Sequence, residues 1–335
     1  MSAVARAFAE PVLRADEVSR HAVRLVVIGD APYITELARL PELLRAGDLV
    51  VVNDAATLPA SLHGVTRHRE PFELRLTAPI DGTRLHGVVF GAGDHRTRTE
   101  DRSAPPSIAL GDRVWLGELA ATVIASAGRR LELGVHARAD ELWAYVYAAG
   151  APVQYAHRIE PLPLYAVQTG YAARPWAVEM PSAGRPLTWN VLLGLRRAGV
   201  ELTTLTHAAG LSSTGDTALD RALPWPEPYE IPAATFDAIA RTRARGGRVI
   251  AIGTTVVRAL ESAHEAGKGV ATLRLDGRYH ARVVDGLVSG LHVPGESHFE
   301  LLSAFAPAAQ VERAMALAAD HGLSAHELGD ACLIL

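Results

Sequence analysis

The chain has 335 residues, 49% of them hydrophobic, and carries 33 Lys+Arg against 37 Asp+Glu for a formal net charge of −4. That length exceeds what one hydrophobic core usually serves, so two domains are expected, and the net acidity excludes the broad basic field on which sequence-tolerant nucleic-acid binding relies. No apolar run approaches the ~20 residues of a membrane-spanning helix, no basic-then-apolar leader is present, and the single cysteine, Cys332, excludes an internal disulfide and multi-cysteine metal sites. A soluble, cytoplasmic protein without metal or membrane contact is therefore expected, as a monomer or homodimer. Lys268 is the only lysine, which puts nearly all positive charge on planar guanidiniums suited to phosphates and carboxylates. Arginine-favouring codon use explains the same count.

In chain order, the apolar run from His21 to Ile28 leads into leucines at helical spacing from Thr35 to Arg45. A buried strand then runs from Asp48 to Asp54. From about Leu62 to His136 the texture becomes short alternating segments: Phe72-Glu-Leu-Arg-Leu, Arg84 to Phe90, Arg113-Val-Trp-Leu, Ala121 to Ala125 and Leu131 to Val135. Gly, Asp and Pro separate them. This predicts a small antiparallel barrel or sandwich, with the charged stretch Arg96 to Pro106 as an exposed, mobile loop. After a helix over Glu141 to Ala149, longer α/β elements resume. The expected organisation is a discontinuous main domain (1–61 and 137–335) with an inserted all-β domain (62–136).

Further on, Pro232 opens a helix with Phe236, Ile239 and Ala240 on one face, and Gly246-Gly247 ends it. A strand, Arg248 to Gly253, follows. Thr254 or Thr255 then caps a second helix with Val256, Ala259, Leu260 and Ala263 facing the core. Such a strand–turn–helix unit presents backbone N–H groups at a helix N-terminus, a place that attracts carboxylate or phosphate, and Gly253 permits close approach. Most such turns bind nothing. Arg258, Glu261 and Ser262 at helical spacing read as an ordinary surface ion pair. The chain has no H-E-x-x-H, G-x-S-x-G or paired-cysteine motif, which argues against a metalloenzyme or serine hydrolase.

The motifs Y-E-I-P (from Tyr229) and G-G-R-V-I-A-I-G-T-T-V-V-R-A-L-E-S (ending at Ser262) resemble the C-terminal signature of the S-adenosylmethionine:tRNA ribosyltransferase-isomerase family. So do Val284-Asp-Gly-Leu, Leu301 to Phe305 and the terminal G-D-A-C-L-I. Gly47 to Asp54 with Leu58 to Gly64 resembles that family's G-D-L-x-V-x-N-D…P-A-R-L-x-G segment. Gln168-Thr169 with Tyr171-Ala172, Pro181-Ser-Ala-Gly184, and Leu291-His292 with Pro294 and Ser297 fall in the family's order. The resemblance covers almost the whole chain and is weakest in the β module. It implies a mixed α/β, barrel-like main domain with an inserted antiparallel β-barrel. It also implies S-adenosylmethionine as ribosyl donor to a 7-aminomethyl-7-deazaguanine in tRNA, giving epoxyqueuosine in queuosine biosynthesis with release of adenine and methionine.

Because the sulfonium acidifies the neighbouring C5′ hydrogens, such chemistry needs a base near C5′ and donors that help adenine leave. Through the resemblance, Asp54, His207 and His292 are candidates for proton transfer, and Thr254, Thr255 and Arg258 for holding the methionine carboxylate. Asn53, Gln168, Tyr171, Ser182, Gly184, Glu227, Gly253, Glu261 and Ser297 are candidate substrate-binding positions. A turn cap for Asp54 and ordinary core or surface positions for the histidines are the alternative readings.

The departures from the family are patterned. P-T-A-G-L-H-F becomes Pro181 to Leu187 without its histidine, T-L-H-V-G-x-G-T-F keeps only His207, and H-M-H-S-E-W-Y-E keeps Glu227 but no histidine. Ser61 replaces the arginine of P-A-R-L, and K-S-T-L-L-M-L becomes Gly295-Glu-Ser-His-Phe-Glu-Leu301. Losing an arginine and a lysine removes expected tRNA contacts, and two added glutamates repel a polyanion. A paralogue delivering its fragment of S-adenosylmethionine to a non-tRNA acceptor, and a non-catalytic S-adenosylmethionine-binding protein, are the competing expectations.

Overall fold

A computed structural model describes residues 20, 22–156, 159–292, 297–325 and 328–335. In chain order the first elements are β1 (Arg24–Val27), β2 (Tyr33–Glu36), α1 (Leu40–Leu43), β3 (Leu49–Asn53) and β4 (Ala55–Thr57). The helix expected over Thr35 to Arg45 is shorter than its pattern. Thr35 and Glu36 are taken into β2 by antiparallel pairing with β1, a 3-10 turn spans Leu37–Arg39, and Pro41 begins α1 afresh.

The β module is a closed six-stranded antiparallel barrel. Its strands are β5 (Ser61–Thr66), β6 (Pro71–Leu76), β7 (Arg84–Phe90), β8 (Arg113–Leu116), β9 (Leu119–Ala127) and β10 (Arg130–Val135). Inward residues Leu62, Leu74, Leu85, Val114, Val123 and Leu133 fill it, each nearly or wholly buried. Gly64 is required where β5, β6 and β8 converge, because a Cβ there would stand 2.5 Å from Phe72 Cζ and 2.8 Å from the Trp115 carbonyl oxygen. The Arg96 to Pro106 stretch is largely exposed, yet it is tied down. The Arg102 guanidinium donates to Glu73 Oε2 (2.7 Å) and to the carbonyls of Gly93 (3.0 Å) and Asp94 (3.2 Å).

The chain then returns through α2 (Ala139–Ala149), β11 (Arg174–Ala177), α3 (Trp189–Arg197), β12 (Glu201–His207), α4 (Thr217–Arg221) and β13 (Glu227–Ile231). It ends with α5 (Ala233–Ala244), β14 (Val249–Ile252), α6 (Thr254–Ser262), β15 (Gly267–Ala271), β16 (Gly286–Gly290), α7 (Ser297–Leu302), α8 (Ala308–Asp320) and β17 (Ala331–Ile334). Nine strands form one mixed sheet in the order β15-β13-β12-β3-β14-β16-β17-β1-β2. At its centre β3 pairs in parallel with β12 and β14 and is buried along its whole length. Alternation decides the layers. Leu49 and Val51 point to a core shared with Ile239, Val257, Leu260 and Met315, whereas Val50 and Val52 point to one shared with Leu40, Val191 and Leu195. In α5 the buried face is Thr235, Ala238, Ile239 and Thr242, with Phe236 half-buried; Ala240 is exposed, one position off the predicted face. Among the described residues no helix is long and apolar enough to cross a membrane.

Candidate active site

Parallel strands β12, β3 and β14, with β16 parallel to β14, end on one edge of the sheet at His207, Asn53, Ile252 and Gly290. Carboxyl ends of parallel strands are where open α/β sheets take their ligands.

At β3 the ladder with β12 stops, and the Asn53 side chain continues it. Its Nδ2 donates to the His207 carbonyl (2.9 Å), while its Oδ1 accepts from the N–H of His207 (2.9 Å) and of Ala55 (3.1 Å). Asn53 is thus a backbone clamp. Asp54, half-buried, accepts from Thr206 Oγ1 at 2.6 Å, and its carbonyl accepts from Ala173 N at 2.8 Å. Tyr171 lies in Coulomb reach of this carboxylate: burial first, and Asp54 second, push the phenol's pKa well up. Its Oη donates to the Gly184 carbonyl at 3.3 Å.

Behind this edge lies a buried ionic cluster. The Arg258 guanidinium bonds Glu227, the carbonyl of Leu273 (3.2 Å), and those of Ala271 (3.1 Å) and Trp225 (3.3 Å). The expected surface ion pair is therefore corrected. Arg258 and Glu261 are both buried, and Glu261 instead accepts from the N–H groups of Arg282 (3.0 Å), Val283 (2.9 Å) and Val284 (3.0 Å), because α6 packs on its polar side as well. Burial, then Arg274, pulls Arg258 down to about 10. Glu227 Oε1 accepts from Gly210 N at 2.6 Å, and its Oε2 lies 3.5 Å from His207 Nε2. The His207 ring is wholly buried with neither nitrogen hydrogen-bonded among the described residues. Burial and then Arg258 take its pKa down to about 3, so it is neutral at neutral pH.

The turn after β14 places Gly253 at φ 92° and ψ 152° at the start of α6, with no side chain capping the helix. The expected Thr254 or Thr255 cap is corrected, because both belong to the helix itself and the capping position has no side chain to offer. A Cβ on Gly253 would lie 3.8 Å from Ala183 Cβ and 3.6 Å from Thr255 Oγ1. One on Gly290 would lie 3.8 Å from the His292 ring and 3.9 Å from Ser182 Oγ. Through Ser182, Ala183 and Gly184, one loop accordingly touches the surroundings of His292, Gly253 and Tyr171 in turn. Ser297 is exposed at the start of α7.

Two predicted positions stay off this edge. Gln168 pairs its side-chain amide with the backbone of Thr57 (3.0 and 2.8 Å), and Glu261 faces the far end of α6. The sequence reading also missed a cluster at the barrel. Glu73 Oε1 accepts from Ser61 Oγ and Arg75 Nε, both at 2.7 Å, and Arg75 stands over Phe90 (4.6 Å) and Tyr155 (5.2 Å). Tyr155 in turn donates to Glu179, whose pKa burial raises. Glu73 and Arg75 at i, i+2 inside an apolar alternation were the available signal, since both must point the same way. Ser61 is buried opposite Arg75 in the β5–β6 register. Among the described residues no group of three or more His, Cys, Asp or Glu could hold a metal ion.

Comparison with known proteins agrees with this architecture. The family model described as queuosine biosynthesis protein matches residues 8–334. The S-adenosylmethionine:tRNA ribosyltransferase-isomerase of Thermus thermophilus is 32% identical over 332 residues, covering 93% of this chain and 92% of its own. That of Gloeobacter violaceus is 34% identical over 341 residues, covering 94% and 89%. The crystal structure of a Thermotoga maritima S-adenosylmethionine tRNA ribosyltransferase aligns over 98% of this chain and 95% of its own at a TM-score of 0.50 and 23% identity, a likeness of fold. The chain is thus an enzyme of the S-adenosylmethionine:tRNA ribosyltransferase-isomerase family of queuosine biosynthesis.

Proposed function

We propose that the enzyme takes the ribosyl group of S-adenosylmethionine and transfers it to the aminomethyl nitrogen of a 7-aminomethyl-7-deazaguanine in tRNA. Rearrangement gives the epoxycyclopentanediol of epoxyqueuosine, and adenine and methionine depart. The observation that carries this reading is the loop of Ser182, Ala183 and Gly184, which gathers Gly253 at the start of α6, the His292 ring and the Asp54–Tyr171 pair along one edge. N–H groups at the start of α6, with the hydroxyls of Thr254 and Thr255, suit the methionine carboxylate. Asp54, hydrogen-bonded by Thr206, and His292, within hydrogen-bond distance of Ser289, are the groups we assign to taking the C5′ proton that the sulfonium acidifies. Arg258, with its guanidinium committed to Glu227 and three carbonyls, supports the edge from behind instead of binding the carboxylate. His207, neutral and wholly buried, serves the same wall.

The test follows adenine and methionine by mass spectrometry after incubation with S-adenosylmethionine, alone and with tRNA bearing the deazaguanine precursor. Release only with that tRNA is expected. Release without it points to another acceptor, and binding without release points to a non-catalytic protein; either overturns the proposal.

A further inference from the structure

His292 has a neighbour that fixes it. Its ring is stacked on that of His298, with centroids 4.9 Å apart and planes 17° from parallel. On the other side, its Nε2 lies 3.1 Å from Ser289 Oγ, the tautomer deciding which atom donates. The two contacts do different work. A hydrogen bond to one nitrogen sets where that atom points, whereas a parallel stack sets the plane of the ring. Both supports are anchored. Ser289 is buried within β16, and His298 lies in the first turn of α7, whose Phe299, Leu301 and Leu302 are set into the main core. The Nε2–Cε1 side of the ring is the side that would meet a Cβ on Gly290 at 3.8 Å, next to Ser182 Oγ at 3.9 Å from the same point. The stack thus holds the ring beside Gly290, which the Ser182 hydroxyl also approaches. In K-S-T-L-L-M-L, the element that Gly295 to Leu301 resembles, the position of His298 is a leucine. Leucine fills the volume but offers no flat face.

We propose that His298 is a positioning residue for His292, fixing the plane of that imidazole by ring stacking. The proposal rests on the reading of His292 as a proton-transfer group. Its test uses the full chain, with His298→Phe to keep a flat ring and His298→Leu to keep only the volume. Expected is a kcat for adenine release within about twofold of the parent in the Phe variant and roughly tenfold lower in the Leu variant, with KM for S-adenosylmethionine and the unfolding midpoint unchanged in both. A Leu variant that turns over like the parent overturns the proposal. Equal losses in both variants with a lowered midpoint overturn it too, since that is mere packing. A second readout needs no turnover. In the 1H spectrum the ring protons of His292, assigned with His292→Gln, should be displaced by the ring current of the stacked ring in the parent and the Phe variant and lose that displacement in the Leu variant. Ring protons that keep their positions in the Leu variant overturn the positioning role, whereas absence of turnover in the parent, with that spectrum as expected, overturns only the function proposed above.

Discussion

The imidazole of His207 is neutral because its surroundings would have to solvate a charge beside a guanidinium, and its pKa falls to about 3 as a result. In the unfolded chain the same group titrates near ~6.5. Between those values the unfolded chain takes up a proton that the folded protein refuses, so folding stability is lost as pH falls from about 6.5 to about 3 and is indifferent to this group above that window. Urea unfolding at pH 7 and pH 5 should show a drop in stability larger by about 2 kcal/mol in the parent than in His207→Gln; parallel drops would remove the assignment. That His207 mattered was readable from its place in a family-like segment. Its partners were not, because Glu227 and Arg258 stand 20 and 51 positions further along the chain and only the packing of β13 on β12 brings them together. Arg258 illustrates the same limit, since i, i+3 spacing within a helix cannot tell a solvent-facing ion pair from a buried guanidinium that reaches another strand.

At the scale of elements, the β14–α6 unit was legible because its signals agree: paired glycines, a β-branched run and then an amphipathic helix. Its cap was not legible, since two threonines in the right place did not cap and the glycine before them did. The φ of 92° and ψ of 152° at Gly253 belong to a region that other residues enter only under strain. Space is not the obstacle, because a Cβ would meet only ordinary contacts at 3.6 and 3.8 Å. Gly253→Ala should accordingly lose about 1–3 kcal/mol of stability through the backbone alone. Because relaxation of that strain redirects the first N–H groups of α6, KM for S-adenosylmethionine should also rise; denaturant titration and steady-state kinetics check both. The mistaken long helix over Thr35 to Arg45 has the opposite cause. There the helical spacing was real, but pairing with β1 and a proline left it only one turn.

Across the whole molecule, alternating segments made an all-β module visible, whereas closure of the barrel by β5 against both β6 and β8 is a long-range pairing that no local pattern states. The Glu73 cluster joins this barrel to the returning chain, with Arg75 and Arg102 sharing one buried carboxylate and Arg75 reaching Tyr155. The Arg75 and Arg102 partners hold the Glu73 carboxyl below the usual carboxylate range despite its burial. Glu73→Gln takes from both buried guanidiniums the carboxylate they share and should cost about 3–5 kcal/mol in chemical unfolding. Asp276→Ala, which breaks a fully solvated pair with Arg278, should leave the midpoint where it was.

The main sheet stays open, and its outermost strand on one side is β15. That strand carries Lys268, the single lysine of the chain, exposed and flanked by glycines. An unpaired strand edge is a template on which a second molecule can add itself, and a strongly hydrated ammonium there makes such addition unfavourable. In a chain that otherwise draws its positive charge from arginine, the exception falls where self-association into extended sheets would begin, so this one side chain bears on the solubility of the protein.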